Sequence, residues 1–206
     1  MPALDGMRVL DLTQWEAGTT STQYLAWFGA DVVKVELPGV GDPGRHTTGP
    51  GHDSLYFMSF NNNKRSVAID LGTARGKALF LELLPKFDVV VENFTLGTME
   101  KLGLGYETLK AANPAIIYAT IKGFGTHGPY ASFKCMDMVA QAAGGAFSVT
   151  GPAEGPPHQA GRHLRRYGFG DALRHGYSCR LRAEAPHRPG PEGRDSDAGD
   201  HRQLHA

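Results

Sequence analysis

The sequence lacks the features that mark several common protein classes. Its two cysteines, Cys135 and Cys179, are far apart and form no CxxC motif, so neither a disulfide framework nor a zinc site is indicated. No apolar run approaches the roughly 18 residues of a membrane-spanning helix. Residues 1–12 include Asp5 and no long apolar stretch, which is not typical of a secretory signal. The formal charge of zero gives no reason to expect nucleic acid or an anionic membrane as partner. We expect a cytoplasmic protein without a metal.

The C-terminal residues lack several residue types that the rest of the chain uses. Residues 162–206 contain nine arginines but no Lys, Val, Ile or Met, whereas residues 1–161 contain eight lysines and four arginines and are rich in Val and Ile. No segment after residue 161 shows a hydrophobic period of 2 or 3.6. We therefore predict one folded unit over residues 1–161 and an unstructured tail over residues 162–206.

Short apolar segments alternate with amphipathic ones over the first 161 residues. Strands apolar on both faces, separated by helices, are typical of a parallel sheet covered on both sides. The pattern predicts an α/β fold with a doubly wound parallel sheet. The predicted strands are residues 7–12, 31–36, 66–70, 88–94 and 116–121, and the predicted helices are residues 21–28, 73–86, 98–102, 106–112 and 134–144. Residues 38–51, which are rich in Gly and Pro, are predicted to form a loop.

The usual phosphate-binding motifs of such sheets are absent. The first strand leads into Thr-Gln-Trp-Glu-Ala-Gly at residues 13–18, and the chain has neither GxGxxG nor GxxxxGK[ST]. Ordinary dinucleotide-binding and P-loop interpretations therefore lose their main support.

Ten short motifs follow one another along residues 4–157: Leu4–Thr13, Leu25–Glu36, Gly41-Asp42, Asn61–Val67, Val91–Phe94, Gly103–Tyr106, Lys122–Gly125, Gly128–Tyr130, Val139–Ala142 and Gly155–Pro157. Their order and spacing resemble those of the family III CoA-transferases, the CaiB/BaiF type. Residues 53–57 resemble the formyl-CoA transferase branch. Met136 stands where the racemase branch has a histidine, which argues against a racemase.

The resemblance implies a Rossmann-like large domain that binds coenzyme A at its strand ends, acyl-CoA and carboxylic acid substrates, and an interlocked homodimer. By position it implies these CoA contacts: Glu16, Ala17, Ile69, Asp70, Leu71, Gly72, Asn93, Phe94, Thr95, Lys101, Lys134 and Asp137. Two departures weaken the comparison, because Glu16 stands where Gln is common and Leu37 where formyl-CoA transferases have Arg.

Simpler interpretations of these residues exist without the resemblance. Asn61–Asn63 could form a polar turn, and Lys64 with Arg65 could be a solvated surface pair. Asp137 and Lys101 could be exposed helix charges. The order of the motifs favours site roles.

The nucleophile that the resemblance implies is absent. In the family an aspartate attacks the acyl-CoA thioester, forms a mixed anhydride and is then converted to an aspartyl-CoA thioester, which splits the transfer into two steps. This aspartate belongs to a Gly-Asp motif soon after the segment that corresponds to residues 155–161. Residues 162–168 instead read Arg-His-Leu-Arg-Arg-Tyr-Gly. We do not expect Asp171, in the later Gly168-Phe-Gly-Asp, to replace it.

The genetic code suggests a cause for this loss. Codons for residues 162–167, read one nucleotide later, can spell Asp-Thr-Phe-Gly-Asp-Thr, and those for residues 183–194 can spell a Gln-Lys-His-Arg-Thr-Gly-Arg-Gly run typical of the family. We infer a frameshift near Gly161, which makes the chain an inactive truncated form. We expect exposed apolar strand faces, poor solubility and little affinity for CoA.

Two other functions stay open. The chain could be a CoA-binding pseudo-enzyme or interaction subunit without transferase activity. The arginines of the tail alone support a third hypothesis, a nucleic-acid binder. The acyl donor and the acceptor acid are not identified by the sequence.

Overall fold

A computed structural model describes residues 1–47, 54–159 and 203–205 of the protein. Six parallel strands form its central sheet: β1 (Arg8–Asp11), β2 (Asp31–Glu36), β3 (Arg65–Ala68), β4 (Val89–Glu92), β5 (Ile117–Thr120) and β6 (Gln203–His205). Its α-helices are α1 (Ala17–Trp27), α2 (Leu55–Asn61), α3 (Ala74–Leu83), α4 (Thr98–Lys101), α5 (Tyr106–Ala112) and α6 (Asp137–Ala143). Short 3-10 turns lie at Pro43–His46, Leu84–Lys86 and Ala146–Val149.

The strand order is β3-β2-β1-β4-β5-β6, which is the order of a Rossmann-like sheet. The chain builds the sheet outward from β1 to β3 and then returns to the other side of β1 with β4. The predicted α/β fold and its parallel sheet are therefore confirmed. The position between β1 and β4 is the topological switch point, where ligands of such sheets bind.

Two hydrophobic clusters cover the two faces of the sheet. Val9 and Val32 belong to one cluster together with Leu25 of α1, whereas Leu10 and Val33 belong to the other together with Phe80 of α3. This alternation follows from the period of two along a strand. Because β1, β2, β4 and β5 are almost fully buried, the expectation of exposed strand faces is wrong for these four strands.

Exposed apolar side chains occur instead beyond β5. Tyr130, Phe133 and Met138 each expose more than half of their surface, and Val149 exposes 85%. Phe133 also lines the site described below. Trp27 and Leu55, on α1 and α2, likewise expose more than half of their surface, so the exposed apolar side chains lie outside the central strands.

Helix α1 begins four residues earlier than the sequence predicts. Its first turns read Ala-Gly-Thr-Thr-Ser-Thr, and β-branched residues are poor helix formers. The hydroxyl groups of Thr19, Ser21 and Thr22 donate to backbone carbonyls of the preceding turn, so these buried groups find hydrogen-bond partners inside the helix. Leu25 and Ala26 pack against the sheet, and this tertiary packing outweighs the weak helix propensity of the first turns.

Helix α3 agrees with its prediction at one end. The Thr73 hydroxyl accepts a hydrogen bond from the Gly76 N–H, as predicted for a capping residue. The helix ends at Leu83 and continues as a 3-10 turn, because Pro85 cannot donate a backbone hydrogen bond. Helix α2, which Ser54 caps through the Phe57 N–H, was not predicted.

Strand β6 falls within the range predicted to be unstructured. Residues 203–205 pair in parallel with β5, so the prediction for 162–206 differs from the structure at these three positions. The open edge of β5 offers backbone groups with which an extended segment can pair. Residues 160–202 and 206 lie outside the described part, and the predicted boundary at residue 161 stays a prediction.

Candidate functional site

A cavity of about 350 Å³ lies at the carboxyl ends of β1, β4 and β5, beside the topological switch point. Its walls come from the loops after these strands and from the segment that leads into α6. The lining residues are Gln14, Trp15, Ala17, Asn93, Phe94, Thr95, Leu96, Ile121, Lys122, Gly123, Ala131, Ser132, Phe133, Lys134, Cys135, Met136, Asp137 and Ala140.

The loops after β1 and β4 are joined by one side chain. The Asn93 amide accepts a hydrogen bond from the Gln14 N–H at 2.8 Å and donates to the Gln14 carbonyl at 2.8 Å. Both backbone polar groups of Gln14 are therefore held by Asn93. The two loops form one wall of the cavity as a unit.

A buried ion pair holds the backbone of the loop that follows β1. The Lys34 ammonium lies 2.8 Å from the Asp42 carboxylate and donates to the Thr13 carbonyl at 2.5 Å. Asp42 also accepts from the Trp15 N–H at 3.3 Å. Trp15 has a φ of 64°, a left-handed conformation that is rare outside glycine, and this conformation is held by the contacts to its own N–H and to the carbonyl of Thr13.

The loop after β4 is held by a second ion pair. Lys122 lies 2.7 Å from Glu92, donates to the Phe94 carbonyl at 2.6 Å, and Glu92 accepts from the Phe94 N–H at 2.7 Å. The Tyr118 hydroxyl also donates to Glu92, at 3.1 Å. Burial and the neighbouring Glu92 charge raise the pKa of Tyr118 above its usual value, so its hydroxyl stays protonated.

A third ion pair lies behind the first turn of α1. Asp11 is fully buried and accepts from Lys64 at 2.9 Å and from the Thr22 hydroxyl at 2.7 Å. Burial alone would raise the pKa of Asp11, but Lys64, Lys34 and the hydroxyl donors lower it to about 2. Burial lowers the pKa of Lys64 to about 8, against the opposing effect of Asp11. Lys64 also donates to the Thr19 carbonyl at 2.9 Å.

Lys64 and Arg65 therefore do not form a solvated surface pair. The Lys64 side chain is 1% exposed, whereas Arg65 is 68% exposed and pairs with Asp31. Asn61 is buried at the end of α2, where its side chain accepts from Lys64 at 2.9 Å, so the polar-turn interpretation is wrong for Asn61.

The opposite wall of the cavity includes the ring of Phe133, which packs against two aromatic rings that do not line the cavity themselves. The rings of Phe124, Tyr130 and Phe133 pack against one another with centroid separations of 5.3–6.4 Å. Gly123 follows β5 and packs against Cys135, because a Cβ at Gly123 would lie 1.9 Å from the Cys135 Cβ. This close approach brings the segment from Ala131 to Asp137 over the strand ends.

Six predicted CoA contacts line the cavity, and six do not. Those that line it are Ala17, Asn93, Phe94, Thr95, Lys134 and Asp137. Those outside it are Glu16, Ile69, Asp70, Leu71, Gly72 and Lys101. The structure thus brings the predicted residues of three loops together but separates them from the β3 end and from α4.

The residues after β3 lie at the far side of the sheet end. Ile69 is buried in the core, and the Asp70 side chain accepts from the Gly72 N–H in a tight turn before α3. Since β2 and β1 separate β3 from β4, and neighbouring strands are about 4.8 Å apart, residues 69–72 lie about 14 Å from the β4 loop. A ligand that contacts both must extend across two strand ends.

Burial separates three further residues among the predicted CoA contacts, because two of them are buried and one is exposed. Asp137 is 8% exposed and accepts from the Gln141 side chain at 2.7 Å, so the exposed-charge interpretation is wrong. Glu16 is 2% exposed. Lys101 is exposed on α4, as the simpler interpretation has it.

Several lining residues were not predicted, including Gln14, Trp15, Lys122 and Cys135. Their shared signal is position, because Gln14 and Trp15 follow β1 and Lys122 follows β5. In a parallel sheet such positions face the ligand edge. Cys135 carries no comparable signal, since its approach depends on the contact with Gly123.

No helix in the described ranges has the length and apolar character needed to cross a membrane. Among residues 1–47, 54–159 and 203–205, His, Cys, Asp and Glu form no group of three or more that could hold a metal ion.

Comparison with known proteins identifies the family. The sequence model of CoA-transferase family III matches residues 4–176. Formyl-CoA:oxalate CoA-transferase of Rhodopseudomonas palustris strain BisA53 is 48% identical over 170 residues, which cover 82% of this chain and 40% of the relative. The protein of the same name from Escherichia coli O139:H28 is 47% identical over 156 residues, which cover 75% of this chain and 38% of that protein.

Solved structures agree with the sequence relatives. A CAIB/BAIF family protein from Brucella suis superposes with a TM-score of 0.81 at 38% identity, covering 88% of this chain and 50% of that one. A hypothetical protein from Mycobacterium tuberculosis superposes with a TM-score of 0.83 at 39% identity, covering 90% and 51%. The chain spans about 40% of the length of the curated relatives above. Because the family match covers most of the sequence, this chain belongs to CoA-transferase family III.

Proposed function

We propose that the cavity at the ends of β1, β4 and β5 binds coenzyme A, and that the family reaction is transfer of CoA between an acyl-CoA and a carboxylic acid. The observation that carries this proposal is the preformed cavity at the switch point, lined by Ala17, Asn93, Phe94 and Thr95. The rings of Phe94 and Phe133 suit the apolar parts of an acyl-pantetheine chain, and Lys134 supplies a cation among the lining residues. The name of the curated relatives joins formyl-CoA and oxalate, which supports small carboxylic acids as the exchanged partners.

The remaining predicted contacts fit an extended ligand. Ile69, Asp70, Leu71 and Gly72 lie across the sheet end, where the adenosine part of CoA would reach, and Lys101 would approach a phosphate from α4. Glu16 would contribute through the start of α1, whose first turn follows the β1 loop. These assignments extend the proposal beyond the cavity itself.

We further propose that this chain binds CoA without completing the transfer. Residues 162–168 lack the Gly-Asp motif, and degenerate codons for the residues from that point can spell family-like residues when they are read one nucleotide later. The family match continues past residue 161 to residue 176 and so includes Asp171. Reading the source DNA across codons 155–170 tests the frameshift, because an unambiguous present frame without a family-like frame downstream contradicts it.

The structure favours the CoA-binding pseudo-enzyme over a form with little CoA affinity. The loops of the cavity are held by buried ion pairs, so a binding surface exists before the ligand arrives. Calorimetry with CoA tests this: we expect saturable binding in the micromolar range. Heats no larger than those of dilution would contradict it and would support the inactive, non-binding form.

Turnover is tested separately from binding. Protein incubated with radiolabelled formyl-CoA and quenched in acid should retain no covalent label. Label that survives in wild type and disappears in Asp171→Asn would show that Asp171 is the nucleophile and that the frameshift proposal is wrong. The interlocked homodimer and the cytoplasmic location stay predictions, and sedimentation velocity checks the first.

A further inference from the structure

The Glu92–Lys122 pair surrounds one residue of the proposed CoA site. Glu92 accepts from the Phe94 N–H at 2.7 Å, and Lys122 donates to the Phe94 carbonyl at 2.6 Å. Both backbone polar groups of Phe94 are therefore bonded to the two members of one ion pair. The side chains are 1% and 10% exposed, so the pair is largely shielded from water.

The backbone needs this support because the sheet ends immediately before it. The last ladder contact of β4 is the hydrogen bond from the Ile121 N–H to the Glu92 carbonyl, at 2.9 Å. After Glu92 the chain has left the sheet, yet it must present Phe94 to the cavity. Hydrogen bonds to charged groups are stronger than neutral ones, so the pair replaces the lost ladder contacts effectively. Asn93, which precedes Phe94, is fixed independently by Gln14.

Lys122 lines the cavity, and a cation there could be taken for a phosphate ligand. Its contacts argue otherwise. An ammonium group has three donors, and Lys122 directs them at Glu92 Oε1 at 2.7 Å, Glu92 Oε2 at 2.8 Å and the Phe94 carbonyl at 2.6 Å. All of its donors are used within the protein, so none is left for an anionic ligand.

We infer that Glu92 and Lys122 are positioning residues, which set the backbone of Phe94 for the pantetheine part of CoA and do not contact its phosphates. The inference rests on the proposed function, because it assumes that CoA binds in the cavity. It assigns a role to Lys122, for which the sequence resemblance implies none.

The test compares Lys122→Met with Lys122→Arg and with a control. Leu84→Ala is the control, because Leu84 is fully buried but precedes β4, at the end of the strand away from the cavity. Calorimetry measures the dissociation constants of CoA and of pantetheine, which lacks the phosphates. We expect Lys122→Met to weaken both ligands by a similar factor of at least ten, Lys122→Arg to restore most of the affinity, and Leu84→Ala to change neither.

A loss confined to CoA, with pantetheine binding unchanged, would show that Lys122 binds phosphate and would overturn the inference. A second measurement does not depend on the ligand. Amide hydrogen exchange, followed by NMR on free protein, should become faster at Phe94 in Lys122→Met than in Leu84→Ala. If wild type fails to bind CoA, the proposed function fails, while this exchange rate still decides the positioning role. Equal Phe94 exchange in Lys122→Met and wild type would refute it.

Discussion

Replacing Asp11 by alanine should destabilise the fold far more than breaking an exposed ion pair of the same sheet. Asp11 accepts hydrogen bonds from Lys64, Thr22 and the Thr13 backbone, and its side chain is fully buried. The variant leaves the Lys64 ammonium buried at 1% exposure without its carboxylate. Removing one partner of a buried pair typically costs about 3–5 kcal/mol.

The matched control is Asp31→Ala, because Asp31 pairs with Arg65 at the surface, where the two side chains are 43% and 68% exposed. Exposed pairs contribute only about 0–1 kcal/mol. The free energy of unfolding is measured by urea denaturation for both variants. We expect a difference of at least about 2 kcal/mol between their losses. Equal losses in the two variants would refute the idea that the Asp11–Lys64 pair supports the start of α1.

Two further predictions concern packing and pH. Gly123→Ala should lower the free energy of unfolding by about 1–3 kcal/mol through overpacking and weaken CoA binding, since the new Cβ would lie 1.9 Å from that of Cys135. Gly105→Ala is the control, because the nearest atom to its new Cβ is 3.3 Å away. Equal effects of the two variants in urea melts and calorimetry would contradict the close-approach argument. Acid should destabilise the protein, because Asp11 and Glu36 have pKa values of about 2, below those of the unfolded chain; their contribution is present above about pH 4.5 and is lost as pH falls through 2. Asp11→Asn should flatten this profile in pH-dependent urea melts, and an unchanged slope would contradict the assignment.

The sequence predicted the sheet because β1, β2, β4 and β5 are short apolar runs with both faces buried. Val89–Glu92 is a short and nearly continuous apolar run between two predicted helices. Such a run is typical of a strand in a parallel sheet that is buried on both faces. Helices with weak intrinsic propensity were harder to predict. Helix α1 depends on packing of Leu25 and Ala26 against the sheet, and α2 begins at its Ser54 cap.

The candidate site was predictable where it follows strands in sequence. Asn93, Phe94 and Thr95 come directly after β4 and line the cavity, as the resemblance implied. Lys122 belongs to the motif Lys122–Gly125, but the sequence predicts no role for it, because its bonds to Glu92 and Phe94 form only where β4 and β5 are adjacent in the fold. The hydrophobic pattern of one sequence does not predict contacts between side chains that are far apart along the chain.

The fluorescence of a tryptophan that lines the cavity can report whether CoA binds there. The chain has two tryptophans, and Trp15 lines the cavity, whereas Trp27 lies at the end of α1 with 52% of its surface exposed. In a Trp27→Phe variant the fluorescence comes from Trp15 alone. Titration with CoA should change this emission saturably, with the dissociation constant that calorimetry gives. Unchanged Trp15 emission at CoA concentrations that saturate the calorimetric signal would place the ligand elsewhere and contradict the account.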